Sequence, residues 1–113
     1  MLPKINRLPG YKIPLVLASR TTFHSPLFTL KVKPSKETTP KIGFIVSKKT
    51  AKKAVDRNRI KRLLRQAIKP SLSKIRSGLN LLFLAKPAIK DKSLTQLKTN
   101  ISAILKRANL LSL

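Results

Sequence analysis

The sequence predicts a two-layer α/β sandwich of the α+β type, with helices packed on a central sheet of about four strands. Residues 25–33 and 41–47 show strand patterns, and residues 79–87 form a short apolar run typical of a buried strand. Residues 54–69 and 93–108 instead repeat apolar positions at helical spacing. With 113 residues and no internal repeat, the chain fits one domain with a modest core.

The amino-terminal part of the chain predicts one short helix and two strands. A helix over residues 13–20 accommodates Pro14 in its first turn, where proline is tolerated. Residues 25–33 alternate apolar side chains with threonine and lysine, which indicates a half-buried strand with a basic outer face. Residues 34–40, with prolines and small polar residues, should form an exposed connection to a more apolar strand over 41–47. We expect the two strands to pair as an antiparallel hairpin.

Residues 54–69 predict an amphipathic helix with one apolar and one cationic side. At about 100° per residue, one side carries Ile60, Leu63, Leu64, Ala67 and Ile68. We expect Asp56 to be the N-cap, because a carboxylate suits the positive end of a helix. Pro70 is expected to end this helix, since proline cannot continue the backbone hydrogen bonding.

The carboxy-terminal part predicts a strand and a second long helix. A turn at Gly78 leads into residues 79–87, where consecutive apolar residues indicate a strand buried on both faces. Ser93 followed by Gln96 is the pattern of a capping box. The helix that begins there has its apolar residues on one side at helical spacing.

The charge of the chain is strongly unbalanced. It has 26 Lys and Arg against 3 Asp and Glu, for a net charge of +23. A compact body with this charge repels itself unless a polyanion neutralises it, so nucleic acid is the predicted partner. An anionic membrane surface is the second candidate, but no apolar run approaches about 18 residues. We therefore expect no membrane contact, and no stable protein partner is predicted.

The cationic side of the basic helix differs from an ordinary solvated surface. It carries a same-charge ladder at i,i+4 spacing, formed by Arg57, Lys61, Arg65 and Lys69. Solvated helices typically place opposite charges at this spacing, and each like-charge step costs roughly 0.2–0.5 kcal/mol. The ladder therefore indicates a surface that binds a polyanion, and its arginines suit forked contacts to phosphates or base edges.

The scarcity of acids argues against hydrolysis by protein groups. Glu37, Asp56 and Asp91 are the only carboxylates, His24 is the only imidazole, and cysteine is absent. Hydrolysis by side chains usually needs paired carboxylates, a nucleophile oriented by histidine, or a metal held by several ligands. If the chain takes part in catalysis, we expect the reactive groups on a partner, and we expect His24 at the surface. The absence of cysteine and of a secretory signal pattern predicts a cytoplasmic protein.

Aromatic residues that could stack on bases are few. Phe28, Phe44 and Phe83 lie in apolar strand runs, which favours positions in the core. Phe23 has polar neighbours and is the better candidate for stacking on a base. Tyr11 is the fifth aromatic residue of the chain.

The segment IVSKKTAKKAVDRNRIKRLLRQA (residues 45–67) resembles the protein component of bacterial ribonuclease P. That family carries Ser-Lys-Lys after a strand, then Arg-Asn-Arg, an aliphatic residue, Lys-Arg and a second basic turn. INRL (5–8) is similar to the family's amino-terminal Asn-Arg-Leu, and LNLLFLAKPA (79–88) is similar to its strand ending in a basic residue and proline. The resemblance covers nearly the whole chain, as a single RNA-binding domain over residues 1–113.

The resemblance implies both a fold and a role. The fold has a left-handed β-α-β crossover around the basic helix, against the usual handedness. The role is that of a subunit in an endoribonuclease, ribonuclease P, which removes the 5′ leader of precursor tRNA. The protein binds the catalytic RNA and the leader, while the RNA holds the Mg²⁺ and carries the catalytic groups.

The resemblance also implies which side chains meet each RNA. Those expected at the catalytic RNA are Lys48, Lys49, Lys53, Arg57, Asn58, Arg59, Lys61, Arg62 and Arg65. Those expected at the leader are Ile13, Leu17, Phe23, Phe28, Lys31 and Phe44. The family's first helix usually turns two phenylalanines toward the leader; this chain has Ile13 and Leu17 at the nearest positions, with Pro14 between them.

Two other functions fit a small basic protein. A ribosomal protein with a purely structural RNA role would share the charge and size. A DNA-binding helix module is disfavoured, because no second helix forms a helix-turn-helix pair with the basic one.

Overall fold

The computed structural model describes residues 2–111 and contains three α-helices and four strands in that range. The helices are α1 (Ile13–Leu17), α2 (Ala54–Leu72) and α3 (Leu94–Arg107). The strands are β1 (Thr22–His24), β2 (Phe28–Pro34), β3 (Lys41–Ile45) and β4 (Leu79–Ala85). Short 3-10 turns lie at Lys4–Asn6, Gly10–Lys12 and Pro87–Ile89.

All four strands form one mixed sheet in the order β1-β2-β4-β3, and the helices pack on it, which confirms the predicted fold class. β4 pairs antiparallel with β2 and parallel with β3. The predicted hairpin between residues 25–33 and 41–47 is therefore wrong, because β4 lies between them. β4 takes this position because it is apolar toward both faces, and only a central strand buries both. Its residues Leu81, Leu82 and Phe83 are all fully buried.

Strand β3, helix α2 and strand β4 form a β-α-β unit with neighbouring parallel strands. The basic helix is thus the crossover of this unit, as expected, while the left-handed sense of the crossover stays a prediction. Strand β1, which the sequence pattern did not indicate, extends the sheet by pairing antiparallel with β2.

The ends of α2 differ from the predicted ones. The helix begins after Lys53, so the predicted N-cap at Asp56 is wrong, although this carboxylate still lies in the first turn near the positive end. The helix continues to Leu72, so the predicted end at Pro70 is also wrong. A proline in the last turn removes only one intrahelical hydrogen bond. Leu72 packs against the core beyond it and offsets that loss.

The sheet separates two apolar clusters. We call the face toward α2 and α3 the helical face; its core includes Phe28, Leu30, Ile60, Leu64, Leu81, Phe83, Leu97 and Ile101. We call the opposite face the α1 face; its smaller cluster consists of Leu8, Val16 and Leu82, with Ile13, Ile45 and Leu84 packed against it. The chain therefore presents two distinct surfaces, one on the outer side of α2 and one beside α1.

The remaining helices agree with the sequence pattern in part. The capping box of α3 is confirmed: Ser93 Oγ accepts from the Gln96 amide at 3.2 Å, and Gln96 Oε1 accepts from the Ser93 amide at 2.9 Å. The helix predicted over 13–20 is shorter, since α1 ends at Leu17. Among the helices of residues 2–111, none combines the length and the apolar character needed to cross a bilayer.

Candidate nucleic-acid interface

Helix α2 has a buried apolar side and an open cationic side, as its periodicity predicts. Ile60, Leu64 and Ile68 are at most 1% exposed and belong to the core of the helical face. The opposite side carries exposed or half-exposed polar residues, namely Arg57, Asn58, Lys61, Arg62, Arg65 and Lys69. Apolar burial thus fixes the helix on the sheet and leaves the same-charge ladder facing outward.

Arg57 also has a structural role that its charge alone does not suggest. Its Nη1 donates to the carbonyl oxygens of Ala51 at 3.0 Å and Lys52 at 2.7 Å. These bonds tie the segment before α2 to the first turn of the helix. The guanidinium therefore supports the lysines of that segment besides contributing its own charge.

The other two residues of the Arg-Asn-Arg signature differ in their surroundings. Arg59 donates from Nη2 to the carbonyl oxygen of Lys90 at 3.0 Å, which links α2 to the connection between β4 and α3. Asn58 is exposed between the two arginines. Of the three, Asn58 is thus the most open to a partner, while both arginines also hold protein backbone.

The segment between β3 and α2 presents four lysines on a hydrogen-bonded turn. The amides of Thr50 and Ala51 donate to the Ser47 carbonyl oxygen at 3.1 and 3.2 Å. The Thr50 hydroxyl donates to the carbonyl oxygen of Ala85 in β4 at 3.1 Å, and the Thr50 side chain is buried. The lysines of this turn are all exposed, namely Lys48, Lys49, Lys52 and Lys53. Because its backbone is fixed to the sheet, the turn adds positive charge in a defined position beside α2.

Replacing Arg57 should loosen this turn. We expect Arg57→Ala to lower the free energy of unfolding by about 1–2 kcal/mol, because two backbone carbonyls, that of Ala51 partly buried and that of Lys52 exposed, lose a charged donor. Arg57→Lys should lose most of the same stability while keeping the charge, since the shorter lysine side chain lacks the planar guanidinium that places the two N–H groups of Nη1 at the two carbonyls. Urea unfolding together with amide hydrogen exchange of residues 47–53 measures this. Arg62→Ala, on the open side of the same helix, is the control and should change stability by less than about 0.5 kcal/mol. Unchanged exchange in Arg57→Ala would show that these bonds do not hold the turn.

The α1 face combines apolar and basic groups in a shallow surface beside α1. Lys31 lies on this face, opposite Leu82 of β4, and its Nζ donates to the carbonyl oxygen of Ser19 at 3.3 Å. Ile13 packs at the edge of the small cluster, and Leu17 is partly exposed at the end of α1. Three of the residues expected at the leader therefore lie around this face.

The three predicted phenylalanines lie on the other side of the sheet. Phe28 is fully buried and meets Phe83 edge to face, with ring centroids 5.2 Å apart. Phe44 stacks on the same ring at 5.5 Å, and Phe23 packs against the same core. Phe23, Phe28 and Phe44, which were expected at the leader together with Lys31, therefore do not lie on the α1 face, because strand alternation points them to the helical face. The parity of the strand already carried this signal, since Phe28 and Lys31 are three residues apart.

Residues that sequence reasoning missed complete the α1 face. Thr29 lies opposite Leu84, and Leu84 lies opposite Ile45, so the three form one row across the sheet. All three are half-buried, which leaves a mixed apolar and polar strip open beside α1. His24 ends this row next to Thr29 and is exposed, as predicted.

Glu37 joins two lysines at one end of the α1 face. Its carboxylate pairs with Lys12 through Oε1 and with Lys41 through Oε2, the latter at 3.2 Å. The hydrogen bond from Lys12, followed by that from Lys41, lowers the pKa of Glu37. The hydrogen bond to Glu37 likewise raises the pKa of Lys12. The ion pairs tie the turn before α1 to the sheet.

The pH range of these ion pairs follows from the direction of each shift. A lowered Glu37 pKa means that its contribution is complete above the ordinary value of about 4.3 and is lost as the pH falls through the folded-state pKa. A raised Lys12 pKa means that its contribution is complete below about 10.4 and is lost as the pH rises through the folded-state pKa. We expect an NMR titration of the Glu37 carboxyl to have its midpoint below about 4.3, and Lys12→Ala to raise it. Lys98→Ala, on α3, is the matched charge control. An unshifted wild-type midpoint would contradict the pairing.

The three carboxylates occupy separate parts of the structure. Glu37 lies between β2 and β3, Asp56 lies in the first turn of α2, and Asp91 lies between β4 and α3. Across residues 2–111, no group of three His, Cys, Asp or Glu side chains is placed to hold a metal ion.

Comparison with known proteins indicates which polyanion a surface of this kind binds. The family model of ribonuclease P matches residues 7–109, which include the signature helix and the whole sheet. The chain belongs to the ribonuclease P protein family. Its function is therefore that of a protein component of this ribonucleoprotein in tRNA processing, and RNA is its partner. The alternative of a structural ribosomal protein is not favoured.

Curated relatives agree with this family. The ribonuclease P protein component of Chloroflexus aurantiacus is 37% identical over 91 residues, covering 80% of this chain and 67% of that protein. The component from Pseudoalteromonas translucida is 33% identical over 85 residues, covering 75% of this chain and 60% of that protein. The chain thus spans about two thirds of the length of these relatives.

Solved structures confirm the ribonuclease P protein fold. A Staphylococcus aureus RNase P protein mutant with defective mRNA degradation activity superposes with a TM-score of 0.85 at 25% identity, covering 96% of this chain and 92% of that one. The Thermotoga maritima RNase P protein has a TM-score of 0.79 at 18% identity, covering 89% and 96%, and shows the fold alone.

Proposed function

We propose that this chain binds the catalytic RNA of ribonuclease P with the cationic side of α2 and binds the 5′ leader of precursor tRNA along the α1 face. In this proposal the RNA carries the catalytic groups and holds the Mg²⁺, and the holoenzyme acts as the endoribonuclease. The observation that carries the proposal is a signature helix whose apolar side is buried and whose cationic side is open. The proposed place of action is the cytoplasm.

The α2 surface supports the first contact through charge and rigidity. The ladder on this surface is formed entirely by basic residues, namely Arg57, Lys61, Arg65 and Lys69. The neighbouring turn adds four exposed lysines. If about six of these groups meet phosphates, log K should fall with log salt at a slope of roughly −4 to −5. A surface held in place by a buried helix side loses little conformational freedom on binding.

The α1 face supports the second contact through its mixed character. The strip of Thr29, Leu84 and Ile45 offers apolar and hydroxyl groups, and Lys31 adds a cation beside it. Single-stranded RNA exposes both bases and phosphates, and such a surface can meet both. Since the phenylalanines face the other core, we propose aliphatic rather than aromatic contacts on this strip.

The division of labour between protein and RNA is supported by the carboxylates. Glu37 is paired with two lysines, and Asp56 and Asp91 lie on different elements. In this proposal the cations of the chain screen phosphate repulsion, which helps the RNA keep its Mg²⁺ at moderate concentrations.

Leader-dependent affinity tests the proposed leader contact. The reconstituted holoenzyme should bind a precursor with a long leader more tightly than mature tRNA, and the catalytic RNA alone should show a smaller difference. Lys31→Ala should reduce this difference, whereas Lys98→Ala, which removes the same charge from α3, should leave it intact. Equal affinities for precursor and mature tRNA in the wild-type holoenzyme would contradict the leader contact.

A further inference from the structure

Tyr11 is the most exposed of the large hydrophobic side chains in residues 2–17. It is 76% exposed, and Leu15, one helical turn later, is 54% exposed. Residues four apart lie on the same side of a helix, and the turn Gly10–Lys12 runs directly into α1. The two side chains therefore form an apolar patch on the outer side of α1, away from the small cluster that contains Val16.

Two backbone hydrogen bonds and one ion pair fix the turn that carries Tyr11. Its turn is closed by the Lys12 amide, which donates to the Pro9 carbonyl oxygen at 3.0 Å, and by the Ile13 amide, which donates to Gly10. The side chain of Lys12 is bound to Glu37, which in turn pairs with Lys41 of β3. An aromatic ring on so fixed a turn loses little conformational freedom when a flat partner stacks on it.

The charge around the patch indicates the kind of partner. Residues 4–12 contain Lys4, Arg7 and Lys12 and no acid; Lys12 is paired with Glu37, so Lys4 and Arg7 are the cations without a carboxylate partner among residues 2–111. A second copy of the chain is disfavoured, because each copy carries a net charge of +23. RNA offers phosphates for these cations and unpaired bases whose faces stack on aromatic rings.

We propose that Tyr11, flanked by Leu15, is a stacking site for an unpaired nucleobase of RNA. This inference rests on the proposed function insofar as both make RNA the partner. The site differs from the strip of Thr29, Leu84 and Ile45, because it lies on the outer side of α1 rather than on the sheet. The base comes either from the leader or from the catalytic RNA, and the test separates the two.

The first test uses the absence of tryptophan and the presence of a single tyrosine in the chain. In Tyr11→Trp, light of a wavelength longer than the nucleobases absorb excites only the introduced tryptophan, so its fluorescence reports on position 11 alone. Titration with a short unstructured RNA should quench this emission to a saturating level at low salt. No quenching by this RNA, by the catalytic RNA or by a precursor with a long leader would overturn the proposal.

The second test compares side chains at position 11 in the full holoenzyme. Tyr11→Ala should weaken RNA binding about 5- to 150-fold, the range that corresponds to loss of one base–aromatic stack. Tyr11→Phe should keep the affinity, and Tyr11→Leu, of similar size but without a ring, should lose most of it. Wild-type affinity in Tyr11→Leu would overturn stacking. Unchanged thermal midpoints in all three variants exclude an effect on folding.

Binding measurements with different RNAs identify the source of the base. A loss confined to precursors with long leaders assigns the base to the leader, and a loss in affinity for the catalytic RNA alone assigns it to that RNA. Suppose that the wild-type holoenzyme shows leader-dependent affinity and that no position-11 variant changes the affinity for any of these RNAs. This inference then fails, while the proposed function stands. If the wild type shows no leader dependence, the leader contact fails, and the quenching titration still decides the role of Tyr11.

Discussion

Replacing Lys61 and Arg65 together with alanine is expected to weaken binding of the catalytic RNA and to make its salt dependence shallower by roughly 1.4–1.8 units. The reason is that each phosphate contact contributes about 0.7–0.9 to the slope of log K against log salt. Both residues lie on the open side of α2, opposite the buried Ile60, Leu64 and Ile68. The free energy of unfolding should change by less than about 0.5 kcal/mol per site, because no core contact is removed.

The matched control removes the same charge elsewhere. Lys98 and Lys106 are exposed on α3, so Lys98→Ala with Lys106→Ala lowers the net charge equally. Binding titrations at several salt concentrations should show a much smaller change in slope for this pair. Equal changes in both pairs would show that the RNA responds to overall charge, and the claim for a specific α2 surface would then be lost.

Truncating Leu64 is expected to have the largest effect on stability. Its side chain is fully buried in the core of the helical face, and Leu64→Ala should cost about 3–5 kcal/mol through lost burial and the cavity left behind. Because small domains are stable by only about 5–15 kcal/mol, this loss should leave the protein close to unfolding at moderate temperature.

Urea or thermal unfolding measures the Leu64 effect. Val55→Ala, an exposed position on the same helix, is the control and should change stability by less than about 0.5 kcal/mol. A loss below about 1 kcal/mol for Leu64→Ala would mean that α2 is not docked on the sheet through this side. RNA affinity should fall with stability in Leu64→Ala and recover at low temperature, since the cationic side chains are unchanged.

The elements governed by local pattern could be predicted from the sequence. The division of α2 into an apolar and a cationic side follows from helical spacing, and the capping box at Ser93 and Gln96 follows from two residue types. The burial of β4 on both faces follows from the unbroken apolar run over residues 81–85. In each case the signal lies within one segment, so no knowledge of its neighbours is needed.

Features that depend on distant residues could not be predicted. The placement of β4 between β2 and β3 depends on pairings among segments more than thirty residues apart, and the sequence pattern of each strand fits either neighbour. The bonds from Arg57 and Arg59 to backbone carbonyls depend on how the turn and the later connection fold against α2. The wrong end at Pro70 has a similar origin, because packing of Leu72 offsets the local cost of proline.

The composition of the α1 face could be predicted only in part. Strand alternation separates Lys31 from Phe28 without any coordinates, and it moves the aromatic residues into the core. Strand alternation does not determine which face of the sheet α1 covers. The packing of Val16 against Leu82 answers that question and identifies Thr29, Ile45 and Leu84 as the open strip.

The rate of leader removal from precursor tRNA is the most direct test of the proposed function. The cognate catalytic RNA is assayed with and without this protein at low Mg²⁺, with Lys98→Ala as a charge-matched control for Arg65→Ala. We expect the wild-type protein and Lys98→Ala to accelerate cleavage strongly, and Arg65→Ala to require more protein for the same rate. No acceleration by the wild-type protein at any Mg²⁺ concentration would contradict the proposed function.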